Sequence, residues 1–121
     1  MQTIQQQRAK FALERVVSAS HDRSVNGKEF KSYAAGLPAM IHMSGLGQAA
    51  AFYKAKGGTY GKLYQLLSDW LTQENQPYAG RRELLEGITQ DDMHRYRLAQ
   101  AEAQALMEWV KKFASAYMAE A

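Results

Sequence analysis

The sequence predicts an all-α fold: a single-domain helical bundle over residues 1–121 with a long C-terminal helix. Apolar residues recur at helical spacing, most regularly at Tyr96, Ala99, Ala103, Leu106, Val110, Phe113 and Tyr117. Proline occurs twice, at Pro38 and Pro77, and five of the nine glycines lie between 45 and 61, so breaks between elements are few. Only residues 39–43 are ambiguous with a short strand; no other stretch reads as one.

The elements follow in chain order. Residues 2–20 are rich in Ala, Gln, Leu, Arg and Glu, and Ile4, Ala9, Ala12, Leu13, Val16 and Val17 form one apolar stripe. A first helix should end before residues 22–26. Asn26 followed by Glu29 is an N-cap signature, so a second helix should run through Phe30, Tyr33 and Ala34 until Gly36 and Pro38 interrupt or end it. Ser44 and Gly45 should open a third helix from Leu46 to about Lys56, closed by Gly57 and Gly58. Thr59 is placed to cap the next, which carries Leu63, Leu66, Leu67, Trp70 and Leu71. Residues 73–80 read as a loop, and 81–86 as one or two helical turns before Gly87. Thr89 and Asp92 fit a capping box for a last helix over 90–118, about 43 Å long at ~1.5 Å per residue. Its seven-residue apolar seam either packs on the chain's own bundle or leaves surplus length as a contact surface.

Composition excludes several chemistries. With no cysteine there can be no disulfide framework, Cys-ligated zinc, iron–sulfur cluster or thiol catalysis, and a reducing compartment is favoured. The apolar fraction of 46% and charged fraction of 22% suit a packed globule. The longest wholly apolar stretch, residues 49–53, is far short of the ~20 residues of a membrane span. Gln5, Gln6, Gln7, Arg8 and Lys10 leave no apolar signal-peptide core. A soluble, cytoplasmic protein with no membrane partner is expected.

Gly45, Leu46, Gly47, Gln48, Ala49 and Ala50 match the dinucleotide fingerprint G-x-G-x-x-A. That motif needs a following strand ending in an acid, whereas here the chain enters a helix, so the glycines read as a helix start that allows close packing. His21, His42 and His94 have no metal-motif spacing, and Asp91, Asp92 and His94 do not share one helical face. Ser18, Ser20 and Ser44 lack a nucleophile-elbow context. No catalytic constellation, metal site or cofactor is predicted, and the chain reads as a non-enzyme.

The net charge of +3 is unevenly spread. Residues 1–62 hold nine cations against three carboxylates, and residues 63–121 hold six against nine. Two partner surfaces of opposite sign are one reading, and scatter around a small globule is the other. Arg8 and Arg15 share a helical face with Lys10 to one side, while Lys54, Lys56 and Lys62 surround the turn at 57–61. These six are the candidate contacts to a nucleic-acid phosphate backbone, although solvated Lys on helix faces is the usual case. Tyr53 and Tyr60, close by in sequence, could stack or donate hydrogen bonds.

Three segments carry a family resemblance. They are Q-Q-R-A-K-F-A over residues 6–12, Y-A-A-G-L-P-A-M-I-H-M-S-G-L-G-Q-A-A-A-F-Y over 33–53, and Y-Q-L-L-S-D-W-L over 64–71. Together they resemble the small subunit of the Cmr (type III-B) CRISPR RNA-guided effector complex, over residues 5–71. His42, Met43 and Ser44 stand where Thr-Asn is more usual before the glycine. The resemblance implies a small all-helical subunit without catalysis of its own. It implies copies stacked end to end beside the backbone subunits, and other effector subunits, guide RNA and target RNA as partners. Carried over, the motif positions are Leu37, Pro38, Ala39, Gly45, Leu46, Gly47, Gln48, Ala51 and Phe52, read mostly as fold-forming. The motif does not mark the RNA-contacting cations, which rest on charge alone. A helical protein-interaction module that never touches RNA is the alternative.

Overall fold

A computed structural model describes residues 1–118. Five helices make up the described fold: α1 (Ile4–His21), α2 (Gly27–Lys56), α3 (Gly58–Leu71), α4 (Leu84–Gln90) and α5 (Met93–Tyr117). No strand forms among the described residues, so residues 39–43 are helical.

Thr3 starts α1 through a capping box: its hydroxyl accepts from the Gln6 amide at 3.1 Å, and its own amide donates to Gln6 Oε1 at 2.8 Å. Ala12 and Val16 are the buried part of the α1 stripe, and Ile4 is exposed. Asn26 caps α2 as its sequence signature indicated, accepting from the Glu29 amide at 3.0 Å.

Pro38 neither ends nor interrupts α2. Leu37 and Ile41 flank it and are fully buried, and that burial offsets the ~3 kcal/mol an interior proline costs a helix. The break falls instead at Gly45, whose φ of 85° and ψ of 159° lie in a region open essentially to glycine alone. Residues 33 and 53 would stand about 30 Å apart along a straight helix. The Tyr53 hydroxyl nevertheless donates to the Tyr33 carbonyl at 2.7 Å. The limb after Gly45 therefore folds back along the limb before it. Side chains of α5 satisfy the amides this reversal frees: Leu46 N–H donates to Gln100 Oε1 at 2.9 Å, and Gly47 N–H to the Tyr96 hydroxyl at 2.9 Å.

Three other boundaries differ from expectation. Gly57, with φ of 67°, occupies the cap of α3, and Thr59 lies inside the helix with its hydroxyl donating to Glu29 Oε1 at 3.0 Å. The short helix forms over α4 rather than 81–86, and it includes Gly87. Its first amides are bonded by α3 side chains, Leu84 N–H to Ser68 Oγ at 2.9 Å and Leu85 N–H to the Tyr64 hydroxyl at 3.2 Å. Asp92 itself caps α5, accepting from the Arg95 amide at 3.0 Å, while the Thr89 hydroxyl donates back to carbonyls of α4. The long helix is thus 25 residues, about 37 Å.

The α5 seam lies in the chain's own core, but its lower end shifts. Ala99, Ala103, Leu106, Met107, Val110 and Ala114 are buried, Phe113 is half-buried and Tyr117 is exposed. A straight helix drifts ~20° per heptad from a seven-residue repeat, which moves the buried position from 113 to 114.

Candidate nucleic-acid interface

The helices bring two sets of chain segments together at opposite ends. At one end the start of α3 meets the start of α2 through Thr59 and Glu29, and the end of α1 through Lys62 and Asp22, 3.9 Å apart. Met118 lines the same shallow hollow as Arg23 and Lys28, which places the end of α5 there too. At the other end lie the Gly45 reversal, the 72–83 loop, α4 and the starts of α1 and α5. Arg95 Nη1 donates to the Pro77 carbonyl at 2.9 Å, and Ile4 and Leu98 share a hollow with Gln76 and Pro77.

The six candidate cations divide sharply. The Arg8 guanidinium is paired in two-pronged fashion with Glu102, Nη2 lying 2.9 Å from Oε1, and the Trp70 indole N–H donates to the same carboxylate at 3.0 Å. Both charged side chains are mostly buried, so Arg8 joins α1 to α5. Arg15 donates to Asp69 at 2.6 Å and lies 4.9 Å over the Phe11 ring. Lys54 pairs with Glu83, which also accepts from the Tyr64 hydroxyl at 2.7 Å. These three are committed to holding helices together. Lys10 and Lys56 are exposed with no carboxylate within ion-pair distance among the described residues, and Lys62 has only the long contact to Asp22. The expected split between a basic and an acidic half is therefore partly cancelled inside the fold. Cations of residues 1–62 are neutralised by acids of residues 63–121.

Lys56 and Lys62 lie at the same end of the bundle as Arg23 and Lys28, two exposed cations that sequence reasoning passed over. Their signal was position: they flank the α1–α2 turn, which the bundle topology brings to the α3 start. An aromatic cluster adjoins them. Tyr33 and Tyr60 stack with centroids 3.7 Å apart and planes 9° from parallel, and Tyr53 stands edge-on to Tyr60 at 4.9 Å. Burial pushes the Tyr53 hydroxyl up to about 12, and it donates to the Tyr33 carbonyl at 2.7 Å.

The motif residues also divide. Leu37 and Leu46 are buried, and Pro38, Gly45 and Gly47 are half-buried. Ala39, Gln48, Ala51 and Phe52 are exposed. The dinucleotide-like loop has its Leu46 and Gly47 amides engaged by Gln100 and Tyr96, so they are not free to cradle a phosphate. Among the described residues no cluster of three His, Asp or Glu side chains is placed to hold a metal, and no helix is long and apolar enough to cross a membrane.

Ion pairing makes stability acid-sensitive. Hydrogen bonds from Lys54 and Tyr64 hold the Glu83 carboxyl below its ordinary range; Arg82 does this for Glu86, Arg81 for Asp91 and Ser24 for Asp22. A carboxyl depressed in the folded state contributes stability that is complete above its unfolded pKa and is lost as pH falls through the folded one. The melting temperature should hold from neutrality to about pH 5 and fall below about pH 4. Melts across that range check this, and a melting temperature unchanged down to about pH 3 would contradict it.

Comparison with known proteins gives a consistent answer. The model of the family described as CRISPR-associated protein (Cas_Cmr5) matches residues 4–117. A curated relative from Thermus thermophilus, named CRISPR system Cmr subunit Cmr5, is 31% identical over 120 residues, covering 99% of this chain and 100% of the relative. A crystal structure of a CRISPR-associated Cmr5 family protein from the same organism superposes with a TM-score of 0.83 at 30% identity, covering 98% of this chain and 100% of that one.

Proposed function

The chain belongs to the Cas_Cmr5 family of CRISPR-associated proteins, and from that premise we propose that it acts as a non-catalytic small subunit of a type III-B effector, helping to hold guide RNA paired with target RNA. The observation that carries the RNA part is the cation distribution left after internal ion pairing. Arg23, Lys28, Lys56 and Lys62 gather at the α2–α3 end, opposed there by Asp22 and Glu29 among the described residues. Such cations contact phosphates without reading bases, because the guide carries the sequence information.

Copies stack end to end beside the backbone subunits in this reading. The end opposite the cations supports it: Ile4, Met43, Met93 and Leu98 are all exposed there. An end that meets a different end makes a heterologous contact, which propagates as an open filament. Each junction then presents its cluster of cations to RNA lying alongside. The setting is the cytoplasm, where the other effector subunits and both RNAs are met.

The test is photo-crosslinking from labelled target RNA in the assembled effector. Crosslinks to this chain are expected. Charge reversal at Lys28, Lys56 and Lys62 should reduce them and lower the salt slope by about one unit for each phosphate released. Arg8→Ala should leave the slope unchanged, since its guanidinium is held by Glu102. A complete absence of crosslinks to this chain would leave the protein-only module as the better account.

A further inference from the structure

Phe52 is 42% exposed although buried positions adjoin it on the same limb, at Ala49, Ala50 and Tyr53. Nothing in the core requires a phenylalanine there. Gln48, Phe52 and Lys56 recur at four-residue intervals, so they lie along one exposed stripe of the second limb of α2. The stripe ends against the aromatic cluster. Phe52 meets Tyr60 edge to face at 5.9 Å, and the Lys56 ammonium lies 5.6 Å from the Phe52 centroid and 5.9 Å from that of Tyr60. Tyr53 holds the group from beneath, through its hydrogen bond to Tyr33 and its edge-on contact with Tyr60. The rings are thus fixed before anything binds, which lowers the ordering cost of binding.

We infer that Phe52, backed by Tyr60 and Tyr33, is a stacking platform for an unpaired base of the bound RNA, with Lys56 contacting the adjacent phosphate. This rests on the RNA-binding reading above and adds to it a preference for unpaired nucleotides. The chemistry is that of single-strand binders, in which an aromatic face accepts any base and a nearby cation follows the backbone. Charge favours RNA over a protein partner here. The ring is accompanied by Lys56, with Lys28 and Lys62 at the same end, whereas the centre of a protein interface is depleted of lysine.

The experiment uses the full chain at low ionic strength and a short single-stranded RNA carrying a fluorescent base analogue, with a fully paired duplex of the same length for comparison. Binding is read by anisotropy and stacking by quenching of the analogue. Wild-type chain should bind the single strand and quench it. Phe52→Leu should lose the quenching and weaken single-strand binding about tenfold, with duplex binding unchanged. Phe52→Trp should retain both, and Lys56→Met should reduce the single-strand salt slope by about 0.7. Melting curves confirm that each variant is folded, as expected at exposed positions. RNA binding without quenching, or quenching equal in Phe52→Leu, overturns the platform and leaves the RNA reading standing. No binding of either RNA by the wild-type chain overturns both.

Discussion

Gly87→Ala is expected to destabilise the protein by about 3 kcal/mol, lowering the melting temperature by about 12 °C for a chain of this size. A methyl group at 87 would lie 2.4 Å from Cγ of Tyr78 and 2.5 Å from one Cδ. These are atoms of a fully buried ring, not the end of a flexible chain, and Tyr78 closes the 72–83 loop over α4. Helix propensity acts the other way. Alanine gains about 1 kcal/mol over glycine inside a helix, so in an open helix the same change would stabilise. The steric term wins because α4 and the ring must separate. A double-mutant cycle isolates the cause: Tyr78→Ala is itself destabilising, but adding Gly87→Ala to it should cost far less than in the parent. A melting temperature within about 2 °C of wild type for Gly87→Ala would remove the contact from the account.

Glu102→Ala should cost about 3 kcal/mol. The carboxylate accepts from both the Arg8 guanidinium and the Trp70 indole, and it and Arg8 are mostly withdrawn from water. Removing it leaves a charge and a neutral donor without an acceptor in a half-dry setting, which is costlier than never having placed them there. Glu102→Gln keeps one acceptor oxygen and should fall between wild type and alanine. Arg8→Ala should resemble Glu102→Ala in a denaturant titration. The result bears on function, because it separates a cation that joins α1 to α5 from one that binds phosphate. An Arg8→Ala variant of wild-type stability with a reduced RNA salt slope would reverse the assignment.

Local chemistry made much of the fold readable. Asn26 before Glu29 caps α2, Gly45 opens the second limb of α2, Gly57 ends it, and the seam from Ala99 to Val110 is core. Each depends on residues within one or two turns of each other, so spacing is enough. Pro38 and Thr59 misled because each has a strong local preference that distant contacts override: burial of Leu37 and Ile41 carries α2 through Pro38, and Thr59 is drawn to Glu29 thirty residues away. Thr89 misled for a local reason, its hydroxyl donating back to the Leu85 and Glu86 carbonyls of α4 while Asp92 caps α5.

The candidate interface shows the same division more sharply. By itself the sequence determined helical class, one seam of core, the absence of thiol chemistry, and which cations exist near the 57–61 turn. Only the tertiary structure decided which cations are held in ion pairs. Ion pairing acts over a few ångströms in space, and Arg8 finds Glu102 across 94 residues of chain. A charge count along the sequence cannot see that neutralisation. Nor can it see that Phe52, Tyr60, Tyr33 and Lys56 become neighbours once α2 folds back at Gly45, because contacts that depend on a chain reversal belong to the packed fold and not to any one segment.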